Sequence, residues 1–120
     1  MLQGVKFDDA EIFNLPGRDV RYLIGPKTTD ARNVTVGVCH WPEGSAPEGH
    51  VHEKEEETIY IMAGTGKISS PEGSVDLAPG TAVFIPVGTL HAIESYGPGT
   101  LEFVTIFSPP VVFGQYSAKT

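Results

Sequence analysis

Fourteen glycines and ten prolines divide a chain of 120 residues into short pieces. Nowhere do ten residues run with helical periodicity and without a glycine, a proline or a β-branched interruption. Turn signals recurring about every eight to twelve residues predict short strands joined by tight turns, with little helix. Antiparallel strands in that number must hide their edges, and a two-sheet jelly roll does so. The expected fold is therefore all-β, in one domain, because the length leaves no room for a second and no segment repeats.

The chain divides into an N-terminal arm at 1–19, a barrel core at 20–109 and a C-terminal tail at 110–120. Residues 1–16 lack a sustained period and read as an arm able to add a short strand to a sheet edge, its own or a neighbouring subunit's. Strands are expected at VRYLIG (20–25), NVTVGVCHW (33–41), ETIYIMAG (57–64), TAVFIP (81–86), LHAIESYG (90–97) and TLEFVTIFSP (100–109). GKISSPEGSVDLAPG (66–80) reads as a hairpin turning at Pro71–Gly73. In 33–41, Val34, Val36, Val38 and His40 share one face, and Thr35, Gly37, Cys39 and Trp41 the other. After Pro110 the tail is expected to pack, with its last few residues disordered.

Within GSAPEGHVHEKEEETIYIMAG (44–64), His50 and His52 are two apart, and Glu57 follows. On an extended strand, side chains two apart point to the same face about 7 Å from each other, so two imidazoles can converge on one ion. A third donor is available in GTAVFIPVGTLHAIES (80–95), which carries His91. Three imidazoles and one carboxylate suit one divalent transition metal ion: Fe, Mn, Ni, Cu or Zn.

Together these segments resemble the two motifs of the cupin superfamily. The first matches at Gly44, His50, His52, Glu57 and Gly64, and the second at Gly80, Pro86, Gly88 and His91, with Ser95 where the family usually has Asn. The fifteen residues between Gly64 and Gly80 are similar to the intermotif spacing of small microbial cupins. The resemblance covers residues 44–95. It implies a conical jelly-roll β-barrel with its metal inside the wider mouth, held by His50, His52, Glu57 and His91. Glu56 stays open as the carboxylate, since the family also allows the shorter gap. Glu56 and Glu57 point to opposite strand faces, so only one can reach an ion. A Ser at 95 is expected to weaken a structural hydrogen bond without touching the ligands.

Other residues read as structural. His40 could sit in the barrel wall near the ion, but a structural or solvent role is favoured. Tyr60 and Tyr96 fall on the faces opposite a ligand and read as packing, and Cys39 as a buried small apolar residue. Glu53, Glu55 and Glu56, with Lys54, form a solvated charged loop. Ile59, Ile61, Val83, Ile85 and Ile93, joined by Phe103 and Phe107, are candidates to line the barrel. No lysine or arginine falls on an inward face assignable from sequence, which disfavours phosphosugars and polycarboxylates.

A formal net charge of −7 without a basic cluster argues against nucleic acid. No apolar run reaches membrane-spanning length, and a start without a signal-peptide pattern, with a single cysteine, points to the cytoplasm. Three functions remain open: a dioxygenase acting on a small oxygen-chelating molecule, a non-redox isomerase, lyase or epimerase, and a non-catalytic metabolite binder. Apolar outer positions at Tyr60 and Met62 and the N-terminal arm point to a homodimer.

Overall fold

The computed structural model describes residues 1–113. A single 3-10 turn, Phe7–Asp9, precedes nine strands: β1 (Ile12–Leu15), β2 (Arg18–Ile24), β3 (Thr35–Trp41), β4 (Glu56–Ala63), β5 (Gly66–Ser70), β6 (Gly73–Leu77), β7 (Ala82–Ile85), β8 (Ala92–Ser95) and β9 (Leu101–Ser108). They form a six-stranded sheet in the order β1-β2-β3-β9-β4-β7 and a three-stranded sheet in the order β6-β5-β8. Every pairing is antiparallel. This is the jelly-roll arrangement that the turn spacing predicts, and β5 and β6 form the expected hairpin.

Alternation places the core. In β4, Glu57, Ile59 and Ile61 are buried while Tyr60 and Met62 stay exposed. In β9, Leu101, Phe103, Thr105 and Phe107 are buried, and their partners in register include Trp41, Cys39, Ile61 and Ile59. Sheet and sheet enclose one cluster that also contains Val20, Tyr22, Ile68, Leu77, Ile85 and Ile93.

Strand ends shift by one or two residues from expectation, most consequentially at β2. β2 starts at Arg18, two residues before the valine that opens its apolar pattern. Residues Ile12–Leu15 pair with β2 of their own chain, from Ile12 opposite Arg21 to Leu15 opposite Arg18. The short arm thereby extends the edge of its own sheet. Its preceding turn covers the outer face of β2 and β3: Phe7 meets the His40 ring edge-on at 5.6 Å, and the Arg21 guanidinium lies 4.4 Å from the Phe7 ring centre. Near the other end, Val111 is buried and Phe113 stacks on Tyr22 at 4.6 Å. The expected disorder of the final residues lies outside the described residues.

Gly64 illustrates why a turn here demands glycine. Its φ is +82°, and a Cβ would sit 2.7 Å from the Thr100 carbonyl oxygen and 2.8 Å from the Leu101 Cα. Any side chain would meet both steric strain in the left-handed region and the backbone entering β9.

Candidate metal centre

The segment 42–55 between β3 and β4 brings His50 and His52 to the barrel mouth. His50 forms an isolated antiparallel bridge with His91: each backbone N–H donates to the other's carbonyl, at 2.9 and 3.0 Å. Nearby, the Gly88 N–H donates to the His52 carbonyl at 2.8 Å. The two sequence segments are thus stitched together at the residues that carry the imidazoles. Glu57 arrives from β4, one residue inside the strand, where alternation turns it inward and leaves Glu56 exposed. The choice between the two glutamates falls on Glu57.

One donor atom from each of His50, His52, Glu57 and His91 lies within 4.8 Å of the others. The Glu57 Oε1 is 3.4 Å from the His91 Nε2 and 3.5 Å from the His52 Nε2. Ring centres of His50 and His91 are 4.3 Å apart, and those of His50 and His52 are 5.1 Å apart. The supporting groups fix which atoms face the centre. Thr89 offers a carbonyl 2.9 Å from the His91 Nδ1, so Nδ1 carries the proton and the lone pair stays on Nε2. Thr105 donates its hydroxyl to the Glu57 Oε2 at 2.6 Å, leaving Oε1 to face the histidines. Phe107 packs edge-on against the His52 ring at 4.8 Å.

Electrostatics prepare the same set of donors. Burial, then the neighbouring His91, pushes the His50 pKa down to about 3, so its imidazole is neutral at pH 7. Burial also lowers His52, against the opposing charge of Glu57. For Glu57, burial acts upward, but the facing His91 and the charge of His52, with the Thr105 hydroxyl, together hold its pKa below the ordinary range. His91 is pulled down by burial, yet Glu57 and the Thr89 carbonyl raise it overall. The Glu57 Oε1 and His91 Nε2 are both buried without a hydrogen-bond partner. Buried polar atoms aimed at a shared point cost stability unless something binds there, and a cation satisfies both at once. Three imidazoles and an ionised carboxylate therefore fit one divalent transition metal ion.

A cavity of about 40 Å³ adjoins the four donors. That is room for a few water-sized groups or a compact ligand beside an ion. Its wall corrects the sequence-based lining. Ile93, Phe103 and Phe107 do line it, but Ile59, Ile61, Val83 and Ile85 do not. Ile59 and Ile61 are wholly enclosed in the core. Their places are taken by Leu15, Val20, Tyr22, Cys39 and Trp41 from β1–β3, and by Arg18. Arg18 overturns the expectation that no basic residue faces inward. Arg18 precedes the apolar run of β2, within the stretch whose pattern reads as the arm.

His40 turns away from the centre. It faces Asp19 and Glu102 on the outer side of β3, with Nδ1 3.6 Å from the Asp19 carboxylate and Nε2 in contact with Glu102. Tyr60 and Tyr96 are exposed. Cys39 is enclosed, and burial, then the charge of Glu57, raises its thiol pKa, so it is a packing residue. Ser95 retains part of a structural role, its hydroxyl donating to the Trp41 carbonyl at 3.3 Å. Thr105 and Thr89 had no expected role. A hydroxyl residue among Leu101, Phe103 and Phe107 on one strand face is the signal that marks Thr105.

Residues 37–107 match the family model described as a cupin domain. The chain belongs to the cupin family. Among relatives, this cupin is 30% identical over 105 residues to Protein SchB from Streptomyces halstedii, covering 88% of this chain and 76% of that one. Solved structures with the same fold include the polyketide cyclase RemF from Streptomyces resistomycificus, with a TM-score of 0.76, 22% identity, and coverage of 97% of this cupin and 82% of RemF. KdgF from Halomonas sp. superposes with a TM-score of 0.75 at 19% identity, covering 89% of this cupin and 94% of KdgF. Oxalate decarboxylase superposes with a TM-score of 0.83 at 19% identity, over 96% of this cupin but only 32% of its own chain. Among the described residues, no helix is long and apolar enough to cross a membrane.

Proposed function

We propose that His50, His52, Glu57 and His91 ligate one divalent transition metal ion, and that the protein is an oxygenase acting on a small molecule that chelates through oxygen atoms. The observation that carries the ligand assignment is the pair of buried, unpartnered atoms, Glu57 Oε1 and His91 Nε2, 3.4 Å apart among the other imidazoles. When bound, such an ion supplies positive charge to substrate oxygens and, if it is iron, manganese or copper, a redox route for dioxygen. The chain supplies the rest. Thr105 and Thr89 hold the donors in position, and Phe103, Phe107 and Ile93 exclude water from the reacting space.

Beyond the proposed ligands the cavity wall carries, among the described residues, no further carboxylate or histidine, and its one thiol is held protonated. An isomerase or epimerase working here would have to move its proton through the Tyr22 phenol. A second reading, Lewis-acid chemistry without a redox step, is favoured by the name of one fold neighbour, a polyketide cyclase. Elemental analysis of protein purified without chelator separates the two: iron or copper favours the oxygenase, zinc the Lewis acid. Oxygen uptake with catechols, diketones and hydroxy acids then tests turnover. Binding of these compounds without oxygen uptake or product would make the protein a metabolite binder.

We also propose a homodimer. Tyr60, Phe84 and Ile106 are exposed on neighbouring strands β4, β7 and β9, with Met62 beside them. Such a patch on a sheet is suited to pairing with its own copy, and sedimentation at micromolar concentration tests it. The cytoplasm is proposed as the compartment, on the lone free cysteine.

A further inference from the structure

We propose that Arg18 and Trp41 form an oxyanion-recognition wall beside the metal centre, so that the substrate is a compact carboxylate with a second oxygen donor for the ion, as in a 2-oxo or 2-hydroxy acid. The proposal deepens the metal-centred reading and rests on it. Both residues line the same cavity as His50, His52, Glu57 and His91.

Arg18 is placed by its surroundings. One guanidinium nitrogen donates to the Pro16 carbonyl at 2.8 Å, and the guanidinium carbon lies 5.3 Å from the Trp41 ring centre. A guanidinium is permanently charged, and its planar fork matches the two oxygens of a carboxylate. Trp41 contributes the independent observation. Its side chain is 2% exposed, and its indole Nε1 is buried without a hydrogen-bond partner. An indole N–H can only donate, so an acceptor oxygen on a ligand is what would satisfy it. Orphaned donors of this kind are rare in native interiors and call for a cause.

Charge leads to the same ligand. A divalent ion with one ionised glutamate leaves the centre positive, and Arg18 adds to that excess inside a wall otherwise formed by residues such as Val20, Ile93 and Phe103. In such low-polarity surroundings an anion is held far more firmly than in water. The cavity volume of about 40 Å³ restricts the ligand to few atoms. The chain as a whole is acidic, with a formal net charge of −7.

The test uses the full chain loaded with zinc, which is redox-inert, and isothermal titration with pyruvate and with pyruvamide, its neutral analogue retaining the keto oxygen. Metal content is measured on every sample. Pyruvate should bind at least about tenfold more tightly than pyruvamide. R18Q should weaken pyruvate binding by about 10- to 100-fold with little change for pyruvamide. R18K, which keeps the charge but loses the fork, should fall between. W41F, which keeps the ring and deletes the N–H, should weaken pyruvate by about three- to tenfold. Zinc content should match wild type in all three variants. Equal binding of the two probes, failure of wild type to bind pyruvate, or wild-type affinity in R18Q would each overturn the proposal. Should R18Q fail to fold, the two-probe comparison on wild type and W41F decides. Absence of zinc from the wild-type protein would instead sink the metal reading, and Arg18-dependent pyruvate binding in that case would leave an anion site standing without it.

Discussion

Replacing Thr105 with Val tests whether the metal centre is built by its supporting groups as well as by its donors. The substitution keeps the side-chain shape in a position that is 1% exposed and deletes only the hydroxyl that donates to the Glu57 Oε2 at 2.6 Å. A hydrogen bond to a buried charged group contributes about 1.5–3 kcal/mol. At this chain length each kcal/mol shifts the melting temperature by roughly 4 °C, so metal-free T105V should melt about 6–12 °C below wild type. Released from Thr105, Glu57 is free to rotate, and metal affinity should fall by about 10- to 100-fold, as is typical when a group that orients a ligand is lost. Calorimetry of the metal-free protein and competition against a chelator give the two quantities separately. T105S restores the hydroxyl and should recover most of the affinity while losing about 1 kcal/mol for the missing methyl. If T105V matched wild type in both melting and metal affinity, the placement of Glu57 by Thr105 would be refuted, along with the orientation of Oε1 that depends on it.

Removing His91 as H91A should abolish metal retention, measured by elemental analysis; wild-type metal content would show that His91 is no ligand. H40A should leave metal affinity within about twofold of wild type, because His40 pairs with Asp19 and Glu102 on the outer face, and part-exposed pairs of this kind contribute about 1 kcal/mol or less. G64A should destabilise by about 2–3 kcal/mol in denaturant titration, combining the left-handed φ with the approach to Thr100 and Leu101. In the metal-free protein, His50 stays neutral to about pH 3 when folded but takes a proton near pH 6.5 when unfolded. The unfolded state therefore binds more protons between those values, and this residue's contribution makes stability fall as pH drops through that window. Metal-free H50N should show a shallower acid loss than wild type in urea melts across the same range.

The turn spacing carried the architecture because in an all-β chain glycine and proline mark strand ends directly, and alternation then assigns faces. Glu57, Ile59 and Ile61 followed that rule without exception. Alternation worked less well on β3, where Val38 is buried on the face that also carries His40. On that face Phe7, from the turn at Phe7–Asp9, packs against His40, and nothing local to 35–41 records the contact. The donors were legible because two histidines at strand spacing and a third after a proline–glycine turn form a local pattern in each segment. Arg18, Trp41, Thr89 and Thr105 were not, since each earns its place through a partner many residues away or through a backbone carbonyl. Arg18 enters the cavity wall only when β1 and β2 pair at the sheet edge, with Arg18 opposite Leu15.

An ion held by the four proposed donors would become part of the fold. Glu57 belongs to β4 in the six-stranded sheet, whereas His91 immediately precedes β8 in the three-stranded one. Between them, His50 is attached to His91 by two backbone hydrogen bonds, and His52 is attached to Gly88 by one. A cation held by all four would therefore tie the two sheets and the connecting segment 42–55 together at the mouth of the barrel. The same place holds two buried donor atoms without protein partners, Glu57 Oε1 and His91 Nε2. Stability and occupancy are linked on this account, because ligand binding to the folded state alone stabilises in proportion to the logarithm of free metal over its dissociation constant. The geometry that readies the site for chemistry would thus also brace the barrel, since both follow from the convergence of donors from both sheets on one space.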